Sequence, residues 1–298
     1  MSQEKHFTVV VNPRGGTRRG PAVLEQVKPI FEAAGADLDV HITTHAGHAA
    51  ELARTMNLDG CDGFCVVGGD GTIHEAVGGL LRREDSVSVP LGVLPGGTGN
   101  SMLAHLQSRD PLEAARRIVS GITQPLDVVR VTKGADVTFC VNIIGWGAAV
   151  DINRTAERLR RLGPPRYAIA AIMHIARARK RRARLVLDDE VLDERFLLVV
   201  ACNTKFTGAG MQLAPHAEIG DGQVDVIFVR RASRWQMLKL FHGVFDGSHL
   251  SLPCVEVRRV SSFSIEPKRV DALNLDGEIK GTTPISAKVM PAALHIFG

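Results

Sequence analysis

Along the first 125 residues, short runs rich in β-branched and apolar residues alternate with segments whose apolar positions recur every three to four residues. FTVVVN (7–12), DLDVHIT (37–43), DGFCVV (62–67) and VPLGVLP (89–95) predict buried strands. The segments 23–34, 48–56 and 73–81 predict amphipathic helices between them. Strict strand–helix alternation implies a parallel, doubly wound sheet, whose ligands bind beyond the carboxyl ends of its strands.

After Pro125 the pattern changes. DVVRVT, VTFCVNII, RFLLVVACN, QVDVIFV, VEVRRV and SFSIEP follow one another with turns between them, as in a mainly antiparallel β domain. One stretch, 155–184, reads as helix and carries a cluster of basic residues. The expected fold is therefore an α/β doubly wound N-terminal domain, 1–125, plus a mainly antiparallel β second domain, 126–298, whose last strand is free to return to the first. A chain of 298 residues exceeds the usual growth limit of one core, which agrees with two domains.

Composition changes this picture little: 45% hydrophobic and 23% charged residues are ordinary for a globular protein. Charge changes it more. Eleven of the 36 basic residues lie between Arg154 and Arg184 against one acid, Glu157, so this stretch carries +10 and the remainder −6 of the net +4. A basic patch for an anionic partner follows. Nucleic acid is disfavoured, because aromatic residues are 5% and none is interleaved with the basic run. No apolar stretch of 18 or more residues occurs, no signal-like start is present, and the five cysteines lack disulfide or zinc spacing, so a reduced cytoplasmic protein is expected.

Three of the predicted strands end in glycine-rich turns: NPRGG (12–16), GGDGTIHE (68–75) and PGGTGN (95–100). A glycine turn that opens a helix lets backbone N–H groups approach a phosphate, and the helix dipole favours the anion. No G-x-x-x-x-G-K-[ST] occurs, and the dinucleotide fingerprint fails at His74 and Met102. Asp70 stands inside the cradle. A carboxylate there would repel phosphate unless a divalent cation bridges them or the acid handles a proton, which points to Mg-nucleotide chemistry.

With NPRGG, T-x-x-x-G (43–47), GGDGTIHE, LPGGTGNS (94–101), a distal GDG (220–222) and LDGE (275–278) in that order, the chain resembles the diacylglycerol kinase catalytic-domain family, which includes bacterial lipid kinases and sphingosine kinases. NAD kinases share only GGDG and a related fold. The resemblance implies an ATP-dependent, Mg2+-assisted lipid kinase. Its nucleotide contacts would be Asn12, Arg14, Thr43, the turn Gly68, Gly69, Asp70, Gly71, Thr72, Ile73 and His74, and then Gly97, Thr98 and Asn100. Catalytic residues would be Asp70, Asp276 and Glu278, with Glu278 as base or base-positioning group and Asp70 near Mg2+. A second, structural Mg2+ would take the Glu218 carbonyl, the Asp221 carboxylate and the Gln223 carbonyl, although Gly220 replaces an acid common in the family.

Asp151, five residues after Trp146, matches the sphingosine kinase acid that contacts a sphingoid amine, which inclines the acceptor toward a sphingoid base over diacylglycerol. The segment 166–185, an apolar half followed by arginines, suits a helix on an anionic membrane surface, making the protein peripheral. A homodimer is compatible with the sequence. The competing readings are a soluble-substrate kinase such as an NAD kinase, and a non-catalytic nucleotide or membrane sensor.

Overall fold

The computed structural model describes residues 5–16, 18–85, 87–97, 100–159, 162–163, 166–176 and 179–298. Contacts divide the chain into two compact units, Met1–Val128 with Pro291–Gly298, and Val129–Met290.

In the first unit the elements alternate as β1 (Lys5–Val11), α1 (Gly20–Ala33), β2 (Ala36–Ile42), α2 (His48–Thr55), β3 (Gly63–Gly68), α3 (Asp70–Leu80) and β4 (Leu91–Pro95). Two further helices follow, α4 (Ser101–His105) and α5 (Pro111–Ser120). The strands pair in parallel in the order β2-β1-β3-β4. The wholly buried runs GFCVVG and LGVLP form the central strands, since a parallel sheet covered on both faces needs apolar residues at successive positions. The expected strands and helices fall within one to three residues of these elements.

Ladder hydrogen bonds continue past the strand ends: Asn12 N donates to Val67 O, Thr43 N to Val11 O and Gly96 N to Gly68 O, each at 2.9 Å. The turns that carry the glycines are thus tied to one another at the carboxyl edge of the sheet.

From the first unit the chain runs along β5 (Thr123–Lys133) into the second, with β6 (Asp136–Cys140), β7 (Ile143–Gly147), α6 (Ala148–Arg158), α7 (Arg166–Ala176), β8 (Arg181–Leu187), β9 (Glu190–Phe196), β10 (Leu198–Cys202) and β11 (Val224–Val229). Next come α8 (Arg234–Gly243), β12 (Glu256–Val260), β13 (Ser262–Pro267), β14 (Ala272–Leu275), β15 (Glu278–Thr282) and β16 (Ile285–Phe297). One sheet has the order β12-β11-β10-β7-β14-β15. Opposite it, β13 pairs antiparallel with β8 and with the start of β16, and β8 with β9. Trp146, Phe196, Phe228, Phe263, Leu185 and Ile285 belong to the core between these layers, and a second cluster packs Ile175 of α7 and Met237 and Leu240 of α8 on the other face. The end of β16 joins the first unit, where Ile296 is in register with Leu91 of β4.

The expectation that 155–184 is one helical region is corrected here. Helix α6 ends at Arg158, α7 spans Arg166–Ala176, and the basic run from Arg181 is strand β8. RRARLVL buries Ala183, Leu185 and Leu187 and turns the alternate positions outward, a period of two that only a strand satisfies. Most of its charge is neutralised in place. Arg181 pairs with Asp151 and Asp271, Arg182 with Asp193 and Arg184 with Glu266. Arg160, Arg161 and Arg177 of the cluster lie outside the described residues.

Helix α8 is held at both ends. Ser233 and Gln236 form a reciprocal capping box at its start. At its end a Cβ on Gly243 would stand 2.6 Å from the His249 backbone nitrogen. The buried His249 ring lies between two carbonyls, Nδ1 at 3.1 Å from Gly243 O and Nε2 at 2.9 Å from Leu213 O. A neutral imidazole can donate to only one of them. Burial lowers the pKa of this ring below its ordinary value, outweighing the two carbonyls and Asp246, which raise it. The unfolded chain therefore takes up the proton first. Stability is expected to be full above about pH 6.5 and to fall as pH drops from there through the lower folded pKa. Denaturant titrations between pH 7 and 5 should show this slope, and His249→Gln should flatten it.

Candidate active site

The first unit gathers the glycine turns by backbone contact. Gly68 and Gly69 leave β3, Gly96 and Gly97 leave β4, and the two turns touch. A Cβ on Gly97 would collide with the Gly69 Cα, and one on Gly96 would stand 2.9 Å from Gly68 N. Glycine is required here for close approach of backbone to backbone.

Asp70 opens α3 from this junction, and its carboxylate accepts hydrogen bonds from Ser101 N at 2.8 Å and Ser101 Oγ at 2.9 Å. The acid placed in the cradle thus also ties the β3 turn to the start of α4. Ser101, fully buried, was not among the expected site residues, although it closes the LPGGTGNS motif. Asn100 adopts a left-handed conformation at φ 43°, and its side-chain oxygen is buried without a hydrogen-bond partner among the described residues. An orphaned amide oxygen suits a hard cation, and the glycine junction suits an anion approaching main-chain N–H groups. These residues fit a nucleotide phosphate with a divalent cation.

The surrounding residues brace the turns. Asn12 Nδ2 donates to Thr72 Oγ1 at 2.9 Å while its Oδ1 accepts from Arg14 N at 2.9 Å, linking the β1 turn to α3. Glu75 Oε1 accepts from Gly47 N at 2.9 Å, which ties the loop after Thr43 to the same helix. Thr43 is buried at the end of β2, Arg14 is exposed, and Gly71 and His74 are half-buried. The Ile73 side chain is in the core, so only its backbone faces the turn. Thr98 lies outside the described residues.

In the second unit the LDGE acids separate. Asp276 is 2% exposed, and its carboxylate accepts from the backbone N–H of Val141 at 3.1 Å, Asn142 at 2.8 Å and Ile143 at 3.0 Å. An anion in such an amide nest organises the β6–β7 connection. Burial first, and then the Asp276 charge, push the neighbouring Cys140 thiol well up, so it stays protonated. Asp276 and Gly277 both have positive φ, 50° and 92°, and the turn is clamped by Asn274 Oδ1, which accepts from Gly277 N, and by Asn153 Nδ2, which donates to Gly277 O. The tight turn directs Glu278 outward, where it pairs with Lys280. Asn153 and Asn274 carried no motif that would have singled them out.

Asp151 on α6 is already paired: Arg181 Nη2 donates to its Oδ2 at 2.6 Å. Asp221 accepts from Gln223 N at 3.0 Å and stands 3.5 Å from Arg259 Nη1. Arg259 also reaches Asp225 and the His216 carbonyl. A guanidinium thus stands beside the carboxylate of the expected Glu218, Asp221 and Gln223 set.

Parallel strands ending in touching glycine turns, joined to an antiparallel sandwich, define the NAD kinase and diacylglycerol kinase class of fold. Residues 6–131 match the diacylglycerol kinase catalytic domain, and residues 142–298 match the YegS C-terminal NAD kinase beta sandwich-like domain. The chain belongs to this family of lipid kinases. It is 31% identical over 281 residues to the protein named "Probable lipid kinase YegS-like" of Chromohalobacter salexigens, covering 94% of this chain and 89% of that one. Sphingosine kinase 1 of Arabidopsis thaliana is 28% identical over 338 residues, covering 97% and 70%. In fold the chain matches a diacylglycerol kinase structure from Bacillus anthracis str. Sterne with a TM-score of 0.80 at 23% identity, covering 100% of this chain and 98% of that one.

Two substitutions probe the site's construction. Asp276→Ala leaves three backbone donors unpaired, at roughly 1–3 kcal/mol for each that water does not reach, and should lower the melting temperature markedly. Gly97→Ala should cost about 1–3 kcal/mol by forcing the two turns apart. Calorimetry checks both, and an unchanged melting temperature in either would contradict the geometry described.

Proposed function

We propose that the protein is an ATP-dependent lipid kinase that transfers the γ-phosphate to the hydroxyl of a neutral glycerolipid such as diacylglycerol. The observation that carries the reading is the junction of the two glycine turns, with Asp70 opening α3 from it and the orphaned Asn100 oxygen at the start of α4. Main-chain N–H groups of the turns and of the α3 start hold the polyphosphate, which costs no side-chain ordering and places the anion at the positive end of a helix. Asn12 and Glu75 keep these turns in place through Thr72 and Gly47. Mg2+, when bound by Asp70 and Asn100, supplies charge neutralisation on the transferring phosphoryl group. Glu278, on the turn fixed by Asp276, Asn153 and Asn274, takes the acceptor's proton, and a positioned carboxylate contributes ~10²–10⁴-fold.

The preference for a neutral acceptor rests on Asp151. A sphingoid amine would have to compete at this acid with Arg181, which is already paired with it and with Asp271. A second reading, a sphingoid base, is supported by the other face of the same group: Asp151 Oδ1 forms no hydrogen bond with a described residue, and its side chain is 28% exposed.

Labelled ATP offered with diacylglycerol, sphingosine, ceramide, monoacylglycerol and NAD in mixed micelles tests the proposal. Phosphatidic acid is the expected product. Labelled sphingosine phosphate, lost in Asp151→Asn, would establish the second reading, and labelled NAD alone would remove both. Asp70→Asn should reduce transfer by ~10²-fold or more with little change in melting temperature, because an amide can accept from Ser101 N and donate to Ser101 Oγ. Full activity in that variant would place the chemistry elsewhere.

A further inference from the structure

Two neighbouring helices of the second unit present apolar side chains to solvent. On α7, Ala170, Ala171 and Ile175 face the core, while Ile169, Ile172 and Met173 form an exposed stripe at the i, i+3, i+4 spacing of one helix face. On α8, Met237 and Leu240 face inward, and Trp235, on the first turn, is 76% exposed. The helix start is fixed by the Ser233–Gln236 capping box, so this indole is held outward by a rigid element and has no place in the core. A cleft of about 290 Å³ joins the helices, with Ile175, Leu197 and Met237 on its apolar wall and Lys180 and Arg234 at its polar side.

Charge distinguishes this surface from the rest of the basic cluster. Arg181, Arg182 and Arg184 are spent on acids of the fold. Lys180, Arg195, Arg231 and Arg234, exposed around the same cleft and an adjoining cavity, form no ion pair with a described residue. Uncompensated cations around exposed aliphatic side chains and an interfacial tryptophan are the chemistry of an anionic bilayer surface. A second copy fits less well, because a two-fold contact would set this patch against itself and oppose like charges.

We propose that the α7–α8 surface is the membrane-docking face, with Trp235 and the Ile169, Ile172 and Met173 stripe entering the headgroup region and Lys180, Arg195, Arg231 and Arg234 binding anionic phospholipid headgroups. This rests on the lipid kinase reading for its purpose and on the surface alone for its physics. It keeps the apolar half of the expected segment 166–185, which is α7, replaces the arginines of β8, and adds α8 with Trp235.

Of the chain's two tryptophans Trp146 is fully buried, so Trp235 reports the contact directly. The intact protein is titrated with phosphatidylcholine vesicles with and without phosphatidylglycerol, followed by tryptophan emission and by quenching with brominated lipid. Expected are a blue shift and quenching with phosphatidylglycerol vesicles only, both absent in Trp235→Phe. Partitioning should be roughly tenfold or more weaker in Arg231→Glu/Arg234→Glu at an unchanged melting temperature. Vesicle binding without quenching of Trp235, no binding at all, or a blue shift on concentrating the protein without lipid would each overturn the proposal. Turnover of a short-chain, water-soluble diacylglycerol should be the same in the charge-reversed variant and the wild type. Its absence in the wild type would count against the kinase reading while leaving the vesicle result to decide the docking face.

Discussion

Backbone meeting backbone at the glycine junction is the constraint on which the first unit of the protein depends. Gly68 and Gly69 against Gly96 and Gly97 leave no room for a Cβ, so the ends of β3 and β4 are drawn together at the edge where a doubly wound sheet binds its ligands. Asp70 then adds a directional tie, two charge-assisted bonds to Ser101, which fixes the start of α4 relative to α3. Asn12 and Glu75 extend the bracing to the β1 and β2 turns. The turns are thus braced by contacts with one another.

The acids of the chain illustrate how environment divides one chemistry into several tasks. Asp276 gives its charge to three backbone amides and shapes a turn, whereas Glu278, two residues on, faces outward beside Lys280 and keeps its carboxylate at the surface. Asp151 and Asp221 are compensated by guanidinium groups. Burial separates them further: Asp276 is enclosed, Asp70 is half-buried and Glu278 is exposed.

The basic run makes the same point for cations. Read as a helix, its arginines form a basic end; folded as a strand, three of them meet an acid of the fold. Lys180, Arg195, Arg231 and Arg234, which form no ion pair with a described residue, line the α7–α8 cleft and an adjoining cavity, so local charge density in the sequence and net field at the surface are different quantities. Among the described residues no helix is long and apolar enough to cross a membrane.

The sequence by itself determined the alternating strands and helices of the first unit, the antiparallel character of the second, and the glycine turns at strand ends, because periodicity and backbone permissiveness are local properties. Its motifs named Asp70, Asp276 and Glu278. Only the tertiary structure decided that Asp276 is consumed by an amide nest and that Asp151 already has a cation. The same holds for the part Ser101 plays at Asp70, for the clamp of Asn153 and Asn274 on the Gly277 turn, and for β8, which claims the arginines. These outcomes turn on partners more than a hundred residues apart for Asp276 and Asn153 and about thirty apart for Asp70 and Asp151. No window along a chain contains such pairs, and a polar side chain's task is set by whichever partner folding brings within hydrogen-bonding distance.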